Sequence, residues 1–288
     1  MPMKPATLSV ALLALCSLLV TAQSPSLRPD RSIACSMCPE WNKDLAPAKI
    51  FGNTYSVGMD GLSALLVTSP AGHVLLDAAL PQSAPLIDQH IRAMGFKTED
   101  IKLILVSHGH YDHAGGVAAL QRFSGARVGA SPSTAAALRA GVNTPDDPQV
   151  GFGPKDNAFP PVATVQELKD SEVVRVGDIA ITVHHIPGHA PGSTAYTWKS
   201  CEGATCKSVA YVDSVTPVSA DGFRFSGDTK YPSRVESYRI SLAKIAALPC
   251  DILKAPHPSA SVGKTCVTYA ANGTALLDKR LAEEAKSR

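Results

Sequence analysis

The decapeptide Ser107-His-Gly-His-Tyr-Asp-His-Ala-Gly-Gly116 places three of the chain's nine histidines, and an aspartate, within six consecutive positions. It follows directly on Ile101–Val106, a β-branched and leucine-rich run of the kind found in strands buried on both faces. Val117–Phe123 then reads as a helix opened by Gly115-Gly116. The donors therefore sit on a loop between the carboxyl end of a buried strand and a helix, where open α/β sheets place ligand sites.

Strand signals recur around this loop. Ile50–Val57, Ser63–Thr68 and His73–Asp77 are short apolar runs separated by Asp60-Gly61 and Pro70-Ala71-Gly72. Ser83–Met94 has helical spacing, with Leu86, Ile87, His90, Ile91 and Met94 on one side, and Gly95 stops it. Further on, Glu172–Val176 and Ile179–His185 pair as a hairpin around Gly177-Asp178. Thr194–Trp198, Ser208–Val212 and Asp251–Lys254 add strands; Val235–Ala247 and Ala275–Lys286 read as helices. Two strand-rich halves, each closed by helices, predict two stacked sheets with helices outside. Between them, Gly141–Pro161 is rich in Gly, Pro, Asp and Asn, and so long a loop is usually functional or disordered. It carries Phe152 and Phe159, which a merely solvated loop has little reason to hold.

A chain of 288 residues with 45% apolar content can bury a substantial core. Its net charge of +2, with no basic run, gives nucleic acid no electrostatic support as a partner. Lys4, the apolar run Leu8–Val20 and Val20-Thr21-Ala22 form a signal peptide cleaved after Ala22, so residues 23–288 are the expected mature domain. The run is too short for a comfortable membrane span. Leu15 is too large for lipoprotein processing at Cys16. Cleavage leaves Cys35, Cys38, Cys201, Cys206, Cys250 and Cys266, an even set that suits disulfides in an oxidising compartment. Proximity favours Cys201–Cys206 and Cys250–Cys266; the pairing of Cys35 and Cys38 stays open. A zinc knuckle from these spacings fits an exported chain poorly.

Three loops after strands concentrate ligand-type residues: His108, His110, Asp112 and His113; His189 in Pro187-Gly-His-Ala-Pro-Gly-Ser193; and His257 in Ala255-Pro-His-Pro258. Six N/O donors are too many for one tetrahedral zinc that keeps an open position, and they suit two metals with three protein ligands each. Imidazole favours zinc, while Asp112 leaves iron or manganese open. A lone histidine is more often a satisfied polar residue, which is the reading for His73, His90, His184 and His185.

SHGHYDHAGG resembles the H-x-H-x-D-H signature of the metallo-β-lactamase superfamily, and PGHAPGS its second metal-ligand loop. The likeness runs from about Ile50 to the C-terminus and is nearest to subclass B3 of the class B β-lactamases. It implies a four-layer αββα sandwich, two mixed sheets with helices outside, and two Zn2+ ions in a groove. His108, His110 and His189 would hold the first zinc; Asp112, His113 and His257 the second. The loop with Phe152 and Phe159 resembles one that closes over substrate, and the stretch with Trp41 resembles an extension along the groove. The cysteine pair Cys250–Cys266 matches a disulfide of that subclass.

The resemblance implies hydrolysis of the β-lactam amide of penicillins, cephalosporins and carbapenems by a metal-bound hydroxide. Asp112 would orient the nucleophile, Ser214 and Thr216 would bind the substrate carboxylate, and Asp77 would support a ligand. Lactonases and thioesterases share the signature but usually add an aspartate bridging both metals. Asp228 is discounted for that role. Asp213 is not, because a one-residue register choice decides whether it or Ser214 faces the metals. A periplasmic monomer with no membrane anchor, acting on a small molecule, is expected.

Overall fold

The computed structural model describes residues 1–3, 26–153 and 157–286; the expected signal segment lies outside them apart from its first three residues. The chain builds a seven-stranded sheet in the order β1 (Ala48–Phe51), β2 (Thr54–Ser56), β3 (Leu65–Val67), β4 (His73–Leu76), β5 (Ile101–Leu105), β6 (Arg127–Ala130) and β7 (Gln166–Glu167). β1 to β4 are antiparallel and β4 to β7 parallel, so the sheet is mixed. A five-stranded sheet holds β8 (Val173–Val176), β9 (Ile179–His185), β10 (Thr194–Glu202), β11 (Thr205–Tyr211) and β12 (Ile252–Lys254). Its last pair is parallel and the rest antiparallel. The helices are α1 (Cys38–Trp41), α2 (Ala84–Ala93), α3 (Tyr111–Ala114), α4 (Val117–Ser124), α5 (Pro132–Ala140), α6 (Val235–Ala246), α7 (Pro258–Ser261) and α8 (Cys266–Lys286).

Alternation along the strands makes the four layers. Leu65, Val67, Val74, Leu76, Leu103 and Leu105 meet Val174, Ile181, Val183, Tyr196, Trp198, Val209 and Tyr211 between the sheets. The intervening Leu66, Leu75 and Ile104 face away, onto Ile87 and Ile91 of α2 and Leu120 of α4. On the other sheet Ala195, Ala210 and Val212 turn outward to Tyr238 and Leu242 of α6 and Tyr269 and Leu277 of α8. Period-two side chains buried on both faces require cover on both sides, and each such aliphatic residue gains about 1.5–3 kcal/mol on leaving water.

The sequence reading did not anticipate β6, β7 or the short helices α1, α3 and α7, and it differs from the structure at three further places. Ile50–Val57 is not one strand but the hairpin β1–β2, because Gly52 turns at φ +53°. α5 was not anticipated. α8 begins at Cys266 rather than Ala275, although Val267, Thr268, Asn272 and Gly273 are weak helix formers. Packing overrides propensity here: Tyr269, Ala270 and Gly273 are buried, and a Cβ at Gly273 would press on Val215 and Leu242.

Disulfides join Cys35 to Cys38, Cys201 to Cys206 across β10–β11, and Cys250 to Cys266. Among the described residues no helix is long and apolar enough to cross a membrane.

Candidate metal centre

Every candidate ligand sits just beyond the carboxyl end of a strand: the 107–116 loop after β5, His189 after β9 and His257 after β12. The first loop is fixed from below. Tyr196, from the opposite sheet, donates its hydroxyl to the Val106 carbonyl (2.8 Å), and Thr194 N–H donates to the Ser107 carbonyl (3.0 Å). Beside it, the turn after β4 holds Asp77 and Ala79 in the left-handed region (φ 57° and 54°). Such backbone costs on the order of 1–3 kcal/mol per residue and persists only where surroundings enforce it. Here Ser107 N–H and Oγ each donate to the Asp77 carboxylate at 2.7 Å, and Tyr211 O–H at 2.6 Å. The same turn accepts Gly116 N–H at the Ala79 carbonyl, and a Cβ on Gly116 would run into the Ala78 carbonyl.

The rings converge. His108 lies 4.4, 4.5 and 5.0 Å, centroid to centroid, from His110, His113 and His189, and His113 lies 4.9 Å from His257. Two donor triads, His108/His110/His189 and His108/Asp112/His113, each bring one ligand atom per residue within 4.8 Å of the others, and all are buried. His257 Nε2 approaches the Asp112 carboxylate at 3.4 Å, on the side where His113 Nε2 stands at 3.1 Å. All six predicted ligands are thus brought together.

On four of the five histidines the nitrogen facing away from this cluster is occupied. His108 Nδ1 meets Asp213 Oδ1 at 2.8 Å, His110 Nε2 meets Asp147 at 3.0 and 3.1 Å, and His189 Nδ1 meets the Thr216 carbonyl at 2.8 Å. His257 Nδ1 reaches the Gly61 carbonyl at 3.3 Å. Metal-binding histidines hold their second nitrogen in this way, which fixes the tautomer. His113, 1% exposed, has no hydrogen-bond partner on either nitrogen. A buried imidazole left unsatisfied beside a carboxylate and two histidines fits a cation, so the donor set suits a metal.

Charges agree with that fit. Burial, opposed by Asp213 and reinforced by His110 and His113, pushes His108 down to about 3. Burial also pulls on His113, but Asp112 outweighs it and raises the imidazole to about 9. Asp112 is held well below the usual carboxylate range by His113 and His257 despite its burial. Burial pushes Asp77 up to about 6 against His113, Tyr211 and Ser107.

The other predicted residues divide. Asp213 is fully buried behind His108 and accepts Ser214 N–H at 2.7 Å, while Ser214 is 9% exposed and Thr216 is exposed. Phe152 stands out at 44% exposure. Phe159 packs into the core and borders a depression formed with residues 30–34, Ala158 and Pro160. Trp41 packs on His257 (5.5 Å) and Tyr111 (6.2 Å). His73, His90, His184 and His185 lie outside both donor triads, and His90 is satisfied by Asp44 and the Val57 carbonyl. Asp147 escaped sequence reasoning, because nothing in the long loop's sequence marks which of its polar residues meets a histidine.

Fold and donors together define a metalloprotein with a buried His/Asp centre at one end of a four-layer sandwich. The profile of the family described as "Metallo-beta-lactamase superfamily" matches residues 58–257. The chain belongs to that superfamily, and its likeness is to the subclass B3 enzymes. It is 46% identical to Rm3 metallo-beta-lactamase, covering 88% of this chain and 99% of that one with a TM-score of 0.84. Against MEM-A1, a subclass B3 enzyme from a soil metagenome, identity is 41%, coverage 86% and 100%, and TM-score 0.82. It is also 31% identical over 157 residues to a hydroxyacylglutathione hydrolase of Pseudomonas paraeruginosa, a match spanning 51% of this chain and 43% of that relative. The matched part is thus less than half the length of that curated relative.

Proposed function

We propose that the protein hydrolyses the amide bond of β-lactam antibiotics, holding one zinc at His108, His110 and His189 and a second at Asp112, His113 and His257. Bound zinc supplies Lewis acidity and brings the pKa of a coordinated water from 15.7 to about 7. The protein's own residues do the rest. Asp112, fixed between His113 and His257, is the acceptor in the groove and orients the water. Ser214 and the exposed Thr216 hydroxyl anchor the substrate carboxylate, and Phe152 covers the apolar side.

One observation carries the choice of lactam over thioester. Asp213 is engaged behind His108 and lies outside both donor triads. A thioesterase of this family would turn an aspartate onto both metals, so the pairing of Asp213 with His108 supports the lactamase reading. The partial likeness to hydroxyacylglutathione hydrolases keeps a thioesterase, or a lactonase, as the second reading. Turnover of a carbapenem, an acyl-homoserine lactone and a glutathione thioester by the purified protein separates them. Lactam hydrolysis at least tenfold faster than either alternative is expected; preference for the thioester would overturn the reading.

Residues 1–22 are proposed to direct export to the periplasm, where three disulfides would form and residues 23–288 would act as a monomer on this small substrate, without nucleic acid or membrane anchor.

A further inference from the structure

His110 is held by a residue far from it in sequence. Its Nδ1 faces His108 Nε2 at 3.0 Å, inside the cluster, and its Nε2 lies 3.0 and 3.1 Å from the two oxygens of Asp147. Asp147 is 3% exposed and belongs to the loop that follows α5. A carboxylate can only accept, so the His110 proton resides on Nε2 and Nδ1 keeps its lone pair for a cation.

The loop in turn orients Asp147. Its Oδ1 accepts Gln149 N–H at 2.8 Å and Asn143 Nδ2 at 3.3 Å. Its carbonyl accepts Val150 N–H, Gln149 accepts Phe152 N–H, and Asn157 closes the turn onto the Gln149 carbonyl. Ala220 N–H to the Pro148 carbonyl and Arg234 to Asp146 tie the same turn to the second half. The segment 144–153, with exposed Phe152 on it, is thus a preformed unit joined to the ligand cluster through one carboxylate.

We propose that Asp147 is a positioning residue that latches this turn to the metal centre, so that metal occupancy and placement of Phe152 are energetically coupled. Coupling is reciprocal: whatever the latch adds to metal affinity, the metal returns as loop order. The proposal rests on the metal reading of His108, His110 and His189, not on the choice of substrate.

The test uses the whole mature protein, wild type and Asp147→Ala, with Asp147→Asn as a variant that keeps an acceptor and the shape of the side chain. Zinc affinity is measured by competition with a chromophoric chelator, and hydrogen exchange of residues 144–153 is followed with and without zinc. Asp147→Ala is expected to weaken one of two zinc equivalents about 10–100-fold, the usual cost of losing such a partner. Zinc should slow exchange of 144–153 in wild type and lose that effect in Asp147→Ala, with Asp147→Asn intermediate. Asp146→Ala, which breaks only the exposed pair with Arg234, should leave zinc affinity unchanged. Wild-type zinc affinity in Asp147→Ala, or zinc protection of the turn retained in it, would overturn the latch. Absence of zinc binding by wild type would instead overturn the metal reading itself.

Discussion

The two halves of the molecule hold their histidines by different means. In the first, His108 and His110 give their outward nitrogens to carboxylates, Asp213 and Asp147, and His113 has Asp77 3.9 Å from its Nδ1. In the second, His189 and His257 rest on backbone carbonyls, of Thr216 and Gly61. A carboxylate raises the basicity of an imidazole and a single substitution removes it, whereas a carbonyl does little to basicity and survives any side-chain change. The first half therefore sets the electronics of the centre, and the second closes its geometry.

This contrast can be broken by mutation. His113→Ala should have the largest effect, because it removes a proposed ligand and the nearer of the two imidazoles beside buried Asp112. Breaking such a pair costs about 3–5 kcal/mol, which a thermal melt of the metal-free protein would reveal. His257→Ala, whose side chain is 30% exposed, should leave that melt almost unchanged yet cut turnover severely and lower zinc content. Equal melting loss in the two variants would erase the distinction. Asp213→Asn should come next, weakening zinc binding about 10–100-fold. An unaltered affinity would remove Asp213 from the support of His108.

A smaller effect concerns pH. His113 has its folded pKa raised to about 9 by Asp112, above the ordinary imidazole value of 6.5. Its contribution to stability is then fully present below pH 6.5 and lost as pH rises toward 9. Metal-free protein should melt lower at pH 9 than at 6.5, and zinc, which replaces that proton, should remove the slope. A slope that is the same with zinc would contradict this. The smallest effect is expected at His184, bonded to Thr197 Oγ1 at 2.8 Å: His184→Gln should leave zinc content and turnover as they were.

Much of this was legible because the ligands are local. Four of six donors lie in one decapeptide after a recognisable strand, and His189 and His257 each follow one. Strand periodicity also gave the two sheets. What was hidden depends on contacts distant in sequence. Asp147 is 37 residues from His110, and a carboxylate in a polar loop carries no mark of the imidazole it meets. The side to which Asp213 points needs strand register, which sequence left undecided. Phe159 was assigned to the substrate side through the family resemblance, but apolar rings in a long loop serve equally to anchor it to the core. The first turns of α8 contain poor helix formers that packing against α6 and Val215 stabilises.

The most direct measurement is zinc content together with lactam turnover of the same purified sample, before and after exhaustive treatment with chelator. The account predicts two zinc ions per chain, loss of hydrolysis when they are removed, and recovery when two equivalents are restored. Full hydrolysis in excess chelator, or activity saturating with a single zinc while Asp112, His113 and His257 are intact, would contradict it.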